Sequence, residues 1–155
     1  RKSLLSNSNP YTPAVNLVFA LDEALKMMRE EGLDKIFFRH NKHKLAMSNA
    51  VKALNLKLFA DEKYLSPSIT AINTEDMNAE EFRKTIKDKF DILLAGGQDH
   101  LKGKIFRVGH LGYINDRDIL TVISAISNTL LELGRITSQQ AGEALVAATK
   151  YLESK

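Results

Sequence analysis

Residues 96–112 read GGQDHLKGKIFRVGHLG, and this stretch decides how the chain folds. A two-glycine turn leads through a short loop into an apolar strand, and the glycines at 109 and 112 close a second turn. Arg107 stands alone among apolar residues at the centre of that strand. Because an unpaired guanidinium is costly in apolar surroundings, we expect Arg107 to have a fixed anionic partner.

A carboxylate is the expected partner of Arg107, since the planar guanidinium suits it with two parallel hydrogen bonds. A hydrogen bond to a charged group contributes roughly 1.5–3 kcal/mol. Lysine would be a poor substitute, because its point charge does not reproduce the two-pronged geometry. The residues alone leave two alternatives open: an acidic side chain of the same domain, which makes Arg107 structural, or a bound ligand.

Composition favours one soluble domain, with 155 residues of which 44% are hydrophobic and 26% charged. The net charge is +3, but the 22 Lys and Arg are interleaved with 19 Asp and Glu, so we expect no nucleic-acid partner. No apolar run approaches the ~20 residues that a membrane-spanning helix needs, so we do not expect the chain to enter a membrane. The absence of cysteine excludes disulfides and thiolate metal sites in this chain and fits a cytoplasmic location.

Hydrophobic periodicity and turn residues predict nine elements along the chain. Thr12 and Pro13 form a good helix start, a hydroxyl cap followed by proline at the first helical position. Asn78, Asn115 and Thr137 are further predicted caps. The predicted order of helix, helix, strand, strand, helix, strand, strand, helix, helix is typical of an α+β fold, with a small, mostly antiparallel sheet and helices packed on one face. The predicted helices are 13–31, 33–54, 79–90, 116–133 and 138–152, and the predicted strands are 57–59, 68–72, 91–95 and 104–108.

The motif from Gly96 to Gly112 resembles the C-terminal signature of the class V aminotransferases, and within them the alanine–glyoxylate and serine–glyoxylate (serine–pyruvate) enzymes. The resemblance extends from about Thr12 to Leu133. It implies the C-terminal small domain of a fold-type-I enzyme that uses pyridoxal 5'-phosphate. Residues 1–11 would then be a linker segment and residues 12–155 the domain. In the family the motif arginine binds the α-carboxylate of the substrate, which implies that role for Arg107.

A second segment, SNPYTPAV at residues 8–15, carries a further implication of the resemblance. In the family a threonine and a polar residue before this helix reach across a homodimer and hydrogen-bond the cofactor phosphate held by the other subunit. By position these are Thr12 and Asn9. The family commonly has tyrosine where this chain has Asn9, and Tyr11 is the alternative. From the residues alone, a loop followed by a capped helix explains the segment equally well.

The remaining candidates are predicted to be structural. Gly96 and Gly97 form a loop that should border the substrate pocket and contribute no catalytic side chain. His40 and His43 are three residues apart on a helix, but their Lys and Arg neighbours and the lack of a third ligand disfavour a metal site. His110 is predicted to be structural rather than a general base.

The resemblance implies a homodimeric enzyme that moves an amino group from alanine or serine to glyoxylate or another 2-oxo acid. In the family the lysine that binds the cofactor and the acid that pairs with its pyridinium lie in a large domain that precedes the matching segment. We therefore expect no catalytic residue in this chain and no activity from it alone.

Two alternatives stay open. Some cyanobacterial relatives of this class bear the name of a soluble hydrogenase small subunit, although this chain has no cysteine to hold nickel, iron or an iron–sulfur cluster. The other alternative is a non-catalytic interaction module, which predicts that Arg107 pairs with a carboxylate of its own domain.

Overall fold

The computed structural model describes residues 2–153, which divide into two compact units, one ending at residue 37 and the other beginning at residue 38. The first unit contains the single-turn helix α1 (Lys2–Leu5), within the segment predicted to be a linker, and helix α2 (Val15–Glu31). Helix α3 (Leu33–Ala53) begins in the first unit and continues into the second. The predicted domain boundary between residues 11 and 12 stays a prediction.

Helix α2 begins two residues later than predicted. Ala14 has φ −77° and ψ 65°, and the Val15 N–H donates to the Pro13 carbonyl at 2.9 Å. These values are those of an inverse γ-turn, which precedes the helix and places Pro13 outside it. Ala14 therefore occupies the cap position, no side chain caps the helix, and the predicted capping role of Thr12 is wrong.

The second unit is built around an antiparallel sheet of four strands in the order β1-β2-β4-β3. Helices pack on one of its faces, so the α+β class predicted from the sequence is confirmed. None of the helices within residues 2–153 combines the length and apolarity needed to cross a lipid bilayer. The remaining elements are β1 (Lys57–Leu58), β2 (Ile69–Asn73), α4 (Ala79–Phe90), β3 (Ala95–Gly96), β4 (Ile105–Gly109), α5 (Asp116–Glu132) and α6 (Ser138–Leu152), with 3₁₀ turns at Glu62–Tyr64 and Asp99–Leu101.

The two faces of the sheet differ because side chains alternate along each strand. Thr70 and Ile72 of β2, with Phe106 and Val108 of β4, are buried on the helix side. The ring centroids of Phe106 and Phe82 are 5.1 Å apart, so this aromatic pair packs the sheet against α4. Arg107 therefore lies on the opposite face. The buried cluster also includes Met47, Val51 and Leu54 of α3, Ile86 of α4, Ile119, Ile123, Ile126 and Leu130 of α5, and Ala144, Ala148 and Leu152 of α6.

Three further helix caps predicted from the sequence are present, whereas one predicted strand is not. Asn78 caps α4 by accepting from the Glu80 N–H, and Asn115 and Thr137 cap α5 and α6, each within a complete capping box. The predicted strand 91–95 is wrong except at Ala95, because Asp91 ends α4 in the left-handed conformation, with φ 54°. The carbonyl of Leu94 accepts a hydrogen bond from the Arg83 side chain at 2.8 Å, so it is satisfied without a neighbouring strand.

Candidate functional site

Arg107 lies at the centre of β4, between two alanines. Ala71 of β2 and Ala95 of β3 are its direct partners across the two strand pairs. Directly opposite residues point to the same face of a sheet, so a methyl group flanks the arginine on each side. The arginine is half-buried.

One hydrogen bond fixes the orientation of this guanidinium: the Nε–H of Arg107 donates to the Gly96 carbonyl at 2.9 Å. Within residues 2–153 no carboxylate forms an ion pair with Arg107. The two Nη groups thus have no carboxylate partner within residues 2–153. The predicted alternative of a structural ion pair with an acid of the same domain finds no partner in residues 2–153.

The glycine loop contributes its backbone rather than side chains. A Cβ on Gly97 would lie 2.1 Å from the Leu101 carbonyl oxygen, so no side chain fits there. The Gly97 N–H donates to the Ile105 carbonyl at 3.2 Å and continues the pairing of β3 with β4. The sequence predicted this loop beside the arginine but not that the Gly96 carbonyl would orient it. Only the strand register, which brings residue 96 beside residue 106, supplies that information.

His110, at the end of the arginine motif, is fully buried and bonded through both ring nitrogens. Its Nδ1 lies 3.0 Å from the Pro67 carbonyl and its Nε2 lies 2.9 Å from the Thr70 hydroxyl. Since a carbonyl only accepts, Nδ1 carries the proton and Nε2 accepts from Thr70. Burial lowers the pKa of His110 from 6.5 to about 4, although the bond to Pro67 opposes the shift. These contacts agree with the structural role predicted for this residue.

The loop after β4, residues 110–115, is held by α3. Arg39 Nη1 donates to the carbonyls of Gly112 and Ile114, each at 2.9 Å. The Gly112 N–H donates to His40 Nε2 at 3.1 Å, which makes that nitrogen an acceptor. No sequence pattern indicates this role of Arg39, because these contacts join residues more than 70 positions apart.

Asp116, the first residue of α5, binds two cationic or polar groups of α3. Lys42 Nζ lies 2.9 Å from one carboxylate oxygen and His43 Nε2 lies 2.9 Å from the other. Burial would raise the pKa of Asp116, but the hydrogen bonds from Lys42 and His43 outweigh it and lower that pKa. Burial also lowers the pKa of His43. Within residues 2–153 no group of three or more His, Asp or Glu side chains is placed to hold a metal ion.

Asn9 and Thr12 belong to the first unit, whereas Arg107 belongs to the second. Both side chains are exposed, and neither forms a hydrogen bond within residues 2–37. The first turn of α2, which follows them, contains no acidic residue. Their hydroxyl and amide donors and the positive end of the helix suit a phosphate oxygen. Tyr11 is 86% exposed and stays the alternative to Asn9.

No protein-family model matches the chain, but curated proteins and solved structures do. The chain is 51% identical over 154 residues to the soluble hydrogenase 42 kDa subunit of Anabaena cylindrica, covering 99% of this chain and 40% of that protein. It is 34% identical over 146 residues to the serine–glyoxylate aminotransferase of Methylorubrum extorquens, covering 92% of this chain and 36% of that protein.

The solved structure of ureidoglycine–glyoxylate aminotransferase from Bacillus subtilis superposes on the chain with a TM-score of 0.84 at 32% identity, covering 93% of this chain and 37% of that one. The chain thus spans about two fifths of the length of the curated relatives it matches. The antiparallel sheet and its helices agree with this similarity. The chain belongs to the class V aminotransferase family, which includes relatives named as hydrogenase subunits, and it has the fold of the C-terminal domain of these enzymes.

Proposed function

We propose that this chain is the substrate-carboxylate-binding small domain of a pyridoxal-phosphate-dependent aminotransferase. The full-length protein moves an amino group from a small amino acid, alanine or serine, to glyoxylate or another 2-oxo acid. The observation that carries the proposal is the Arg107 guanidinium on the face of the sheet opposite the helices, with Nε bonded to a carbonyl and both Nη groups without a carboxylate partner in residues 2–153.

Arg107 acts by binding and orienting, not by moving a proton. Its two Nη groups donate parallel hydrogen bonds to the α-carboxylate, which every amino-acid and 2-oxo-acid substrate of such an enzyme shares. The bond from Nε to Gly96 restricts rotation of the guanidinium plane, so less conformational entropy is lost when the substrate binds. The methyl groups of Ala71 and Ala95 leave space for the carboxylate beside the arginine.

The cofactor is proposed to be held mainly by residues outside this chain. Pyridoxal 5'-phosphate, when bound, supplies the electron sink on which amino-group transfer depends. Thr12 and Asn9 are proposed to donate hydrogen bonds to its phosphate across a homodimer, since both are exposed and precede a helix start without acidic residues. In this arrangement the chain by itself is inactive, because the lysine that binds the cofactor lies elsewhere.

The names of the relatives bear on the alternatives. The Anabaena cylindrica relative is named as a hydrogenase subunit, but this chain has no cysteine and supplies no thiolate ligand for a nickel–iron or iron–sulfur centre. The interaction-module alternative requires an internal carboxylate for Arg107, and residues 2–153 offer none.

The test is the steady-state kinetics of the full-length protein that carries this sequence, with alanine or serine as donor and glyoxylate as acceptor. We expect Arg107→Met to raise the KM for both substrates roughly ten- to a hundredfold, which corresponds to about 1.5–3 kcal/mol of lost hydrogen bonding to a charged group. Arg117→Met is the matched control, because Arg117 is exposed on α5 and its side chain has no bond in residues 2–153.

Thr12→Val, measured in the same preparations, should weaken cofactor retention and leave the KM values little changed. An unchanged KM for Arg107→Met, with donor and acceptor turned over normally, would contradict the proposed role of Arg107. Absence of any amino-group transfer by the wild-type protein, with hydrogen-dependent dye reduction in its place, would overturn the aminotransferase proposal itself.

A further inference from the structure

The carbonyl that orients Arg107 belongs to a very short strand. Strand β3 contains only Ala95 and Gly96 and lies at the edge of the sheet, paired with β4 alone. Two residues provide few ladder hydrogen bonds, and an edge strand has no second neighbour to fix its position. Some other contact must therefore hold the Gly96 carbonyl where the Arg107 Nε–H can reach it.

Arg83 of α4 supplies that contact. Its Nε–H donates to the Leu94 carbonyl at 2.8 Å, immediately before β3. Its Nη1 donates to Glu80 Oε2 at 2.8 Å, one turn earlier on the same helix. The Arg83 side chain is only 22% exposed, whereas its partner Glu80 is 41% exposed, so the bond to Leu94 is the better shielded of the two. A single planar guanidinium thus links the helix to the start of the edge strand.

Gly96 packs directly against the same guanidinium. A Cβ added at Gly96 would lie 2.4 Å from Arg83 Nη1 and 2.8 Å from Glu80 Oε1. Glycine is therefore required at position 96 for packing as well as for backbone freedom, because the Arg83–Glu80 pair occupies the space that a side chain would need. The position of Gly96 is fixed by Arg83 on one side and by its pairing with Phe106 on the other.

We propose that Arg83 is a positioning residue for Arg107: by holding β3 against β4, it fixes the Gly96 carbonyl that orients the carboxylate-binding guanidinium. The inference rests on the proposed function of Arg107 and adds a second arginine, which never touches the substrate. Lysine at position 83 has a single nitrogen and cannot bond the Leu94 carbonyl and Glu80 with the same planar geometry.

Kinetics of the full-length protein test this link. Arg83→Met should raise the KM for the carboxylate substrates about tenfold, because a misplaced guanidinium binds the carboxylate less tightly. The change in kcat should be smaller, and it reflects the poorer orientation of the bound substrate. The KM of Arg83→Lys should stay close to the raised KM of Arg83→Met. Lys84→Met is the matched control, an exposed cation one position along α4, and it should behave like the wild type.

A double-mutant cycle separates positioning from a general structural role. If Arg83 acts through Arg107, the Arg83→Met change should raise the KM less than about twofold in an Arg107→Met background, because the group it positions is already absent. The same tenfold increase in both backgrounds would overturn the proposal, and so would a wild-type KM for Arg83→Met. If Arg83→Met does not fold, Glu80→Gln provides a milder version, with a smaller KM increase that must also vanish in the Arg107→Met background.

The two proposals fail in distinguishable ways. A normal KM for Arg107→Met contradicts the proposed function and with it the role of Arg83. A raised KM for Arg107→Met combined with a wild-type KM for Arg83→Met and Glu80→Gln leaves the proposed function intact and overturns only the positioning role.

Discussion

We expect His110 to make the stability of this domain depend on pH. The residue is fully buried, and its neutral ring is fixed by Pro67 on one side and Thr70 on the other. Protonation of Nε2 would place a second donor against the Thr70 hydroxyl and a charge inside the core. Burial, with smaller contributions from the nearby His43 and His40, therefore lowers the pKa of His110 to about 4.

The sign and size of the effect follow from the two pKa values. The unfolded chain takes up a proton at the ordinary histidine pKa of 6.5, whereas the folded chain does so only near 4. The stabilisation is therefore fully present above pH 6.5 and is lost as the pH falls through the interval down to 4. The complete shift corresponds to about 3 kcal/mol, of which about 2 kcal/mol is lost between pH 7 and pH 5.

Urea denaturation at pH 7 and pH 5 measures this loss. We expect the free energy of unfolding of the wild type to fall by about 2 kcal/mol more than that of His110→Gln over this interval, since glutamine does not titrate. His43 has a pKa lowered in the same direction, but it is present in both proteins and cancels in the comparison. His100→Gln is the matched control, because His100 is exposed and should leave the pH dependence unchanged.

The outcome that refutes this reasoning is an equal loss of stability in the wild type and His110→Gln between the two pH values. Such a result would mean that another group, for example His43, carries the acid sensitivity. A lower overall stability of His110→Gln would not affect the test, because the comparison uses only the change with pH within each protein.

Two further substitutions test the packing around the site by urea denaturation at neutral pH. Gly97→Ala should cost about 1–3 kcal/mol, because its Cβ would lie 2.1 Å from the Leu101 carbonyl, whereas Gly142→Ala, with nothing within 4 Å, should be neutral or slightly stabilising. Phe106→Ala should cost about 3–5 kcal/mol through the cavity beside Phe82, whereas the exposed Phe59→Ala should change stability by less than about 0.5 kcal/mol. Equal costs within either pair would contradict the packing described above.

Local chemistry predicted most of the secondary structure. Asn115 and Thr137 have the side chains that close a capping box, and both helices begin where those residues indicate. The start of α2 was wrong by two residues, since the γ-turn at Ala14 is not encoded by a strong residue preference. The strand predicted at 91–95 failed because Asp91 ends α4 in the left-handed conformation, and the Leu94 carbonyl is bonded by the Arg83 side chain instead of by a neighbouring strand.

The apolar stripe of α2 illustrates what periodicity leaves open. Val18, Phe19 and Leu21 recur at helical spacing and predict a face that is buried, yet they are 63%, 70% and 58% exposed. Periodicity identifies a surface that is favourable to bury but does not identify what covers it. The helix itself was predicted from the same pattern and is present.

The site depends on information that lies between distant segments. A lone arginine in an apolar strand predicted an anionic partner but left open whether that partner is an acid of the same domain or a ligand, and only the resemblance favoured the ligand. The neighbours of the arginine could not be predicted, because they come from the register, which sets Arg107 opposite Ala71 and Ala95. A shift of β2 by one residue would turn Ile72 out of the core and bring it beside the guanidinium. The buried side chains that fix the register on one face of the sheet therefore also keep the half-buried arginine between two alanines on the other.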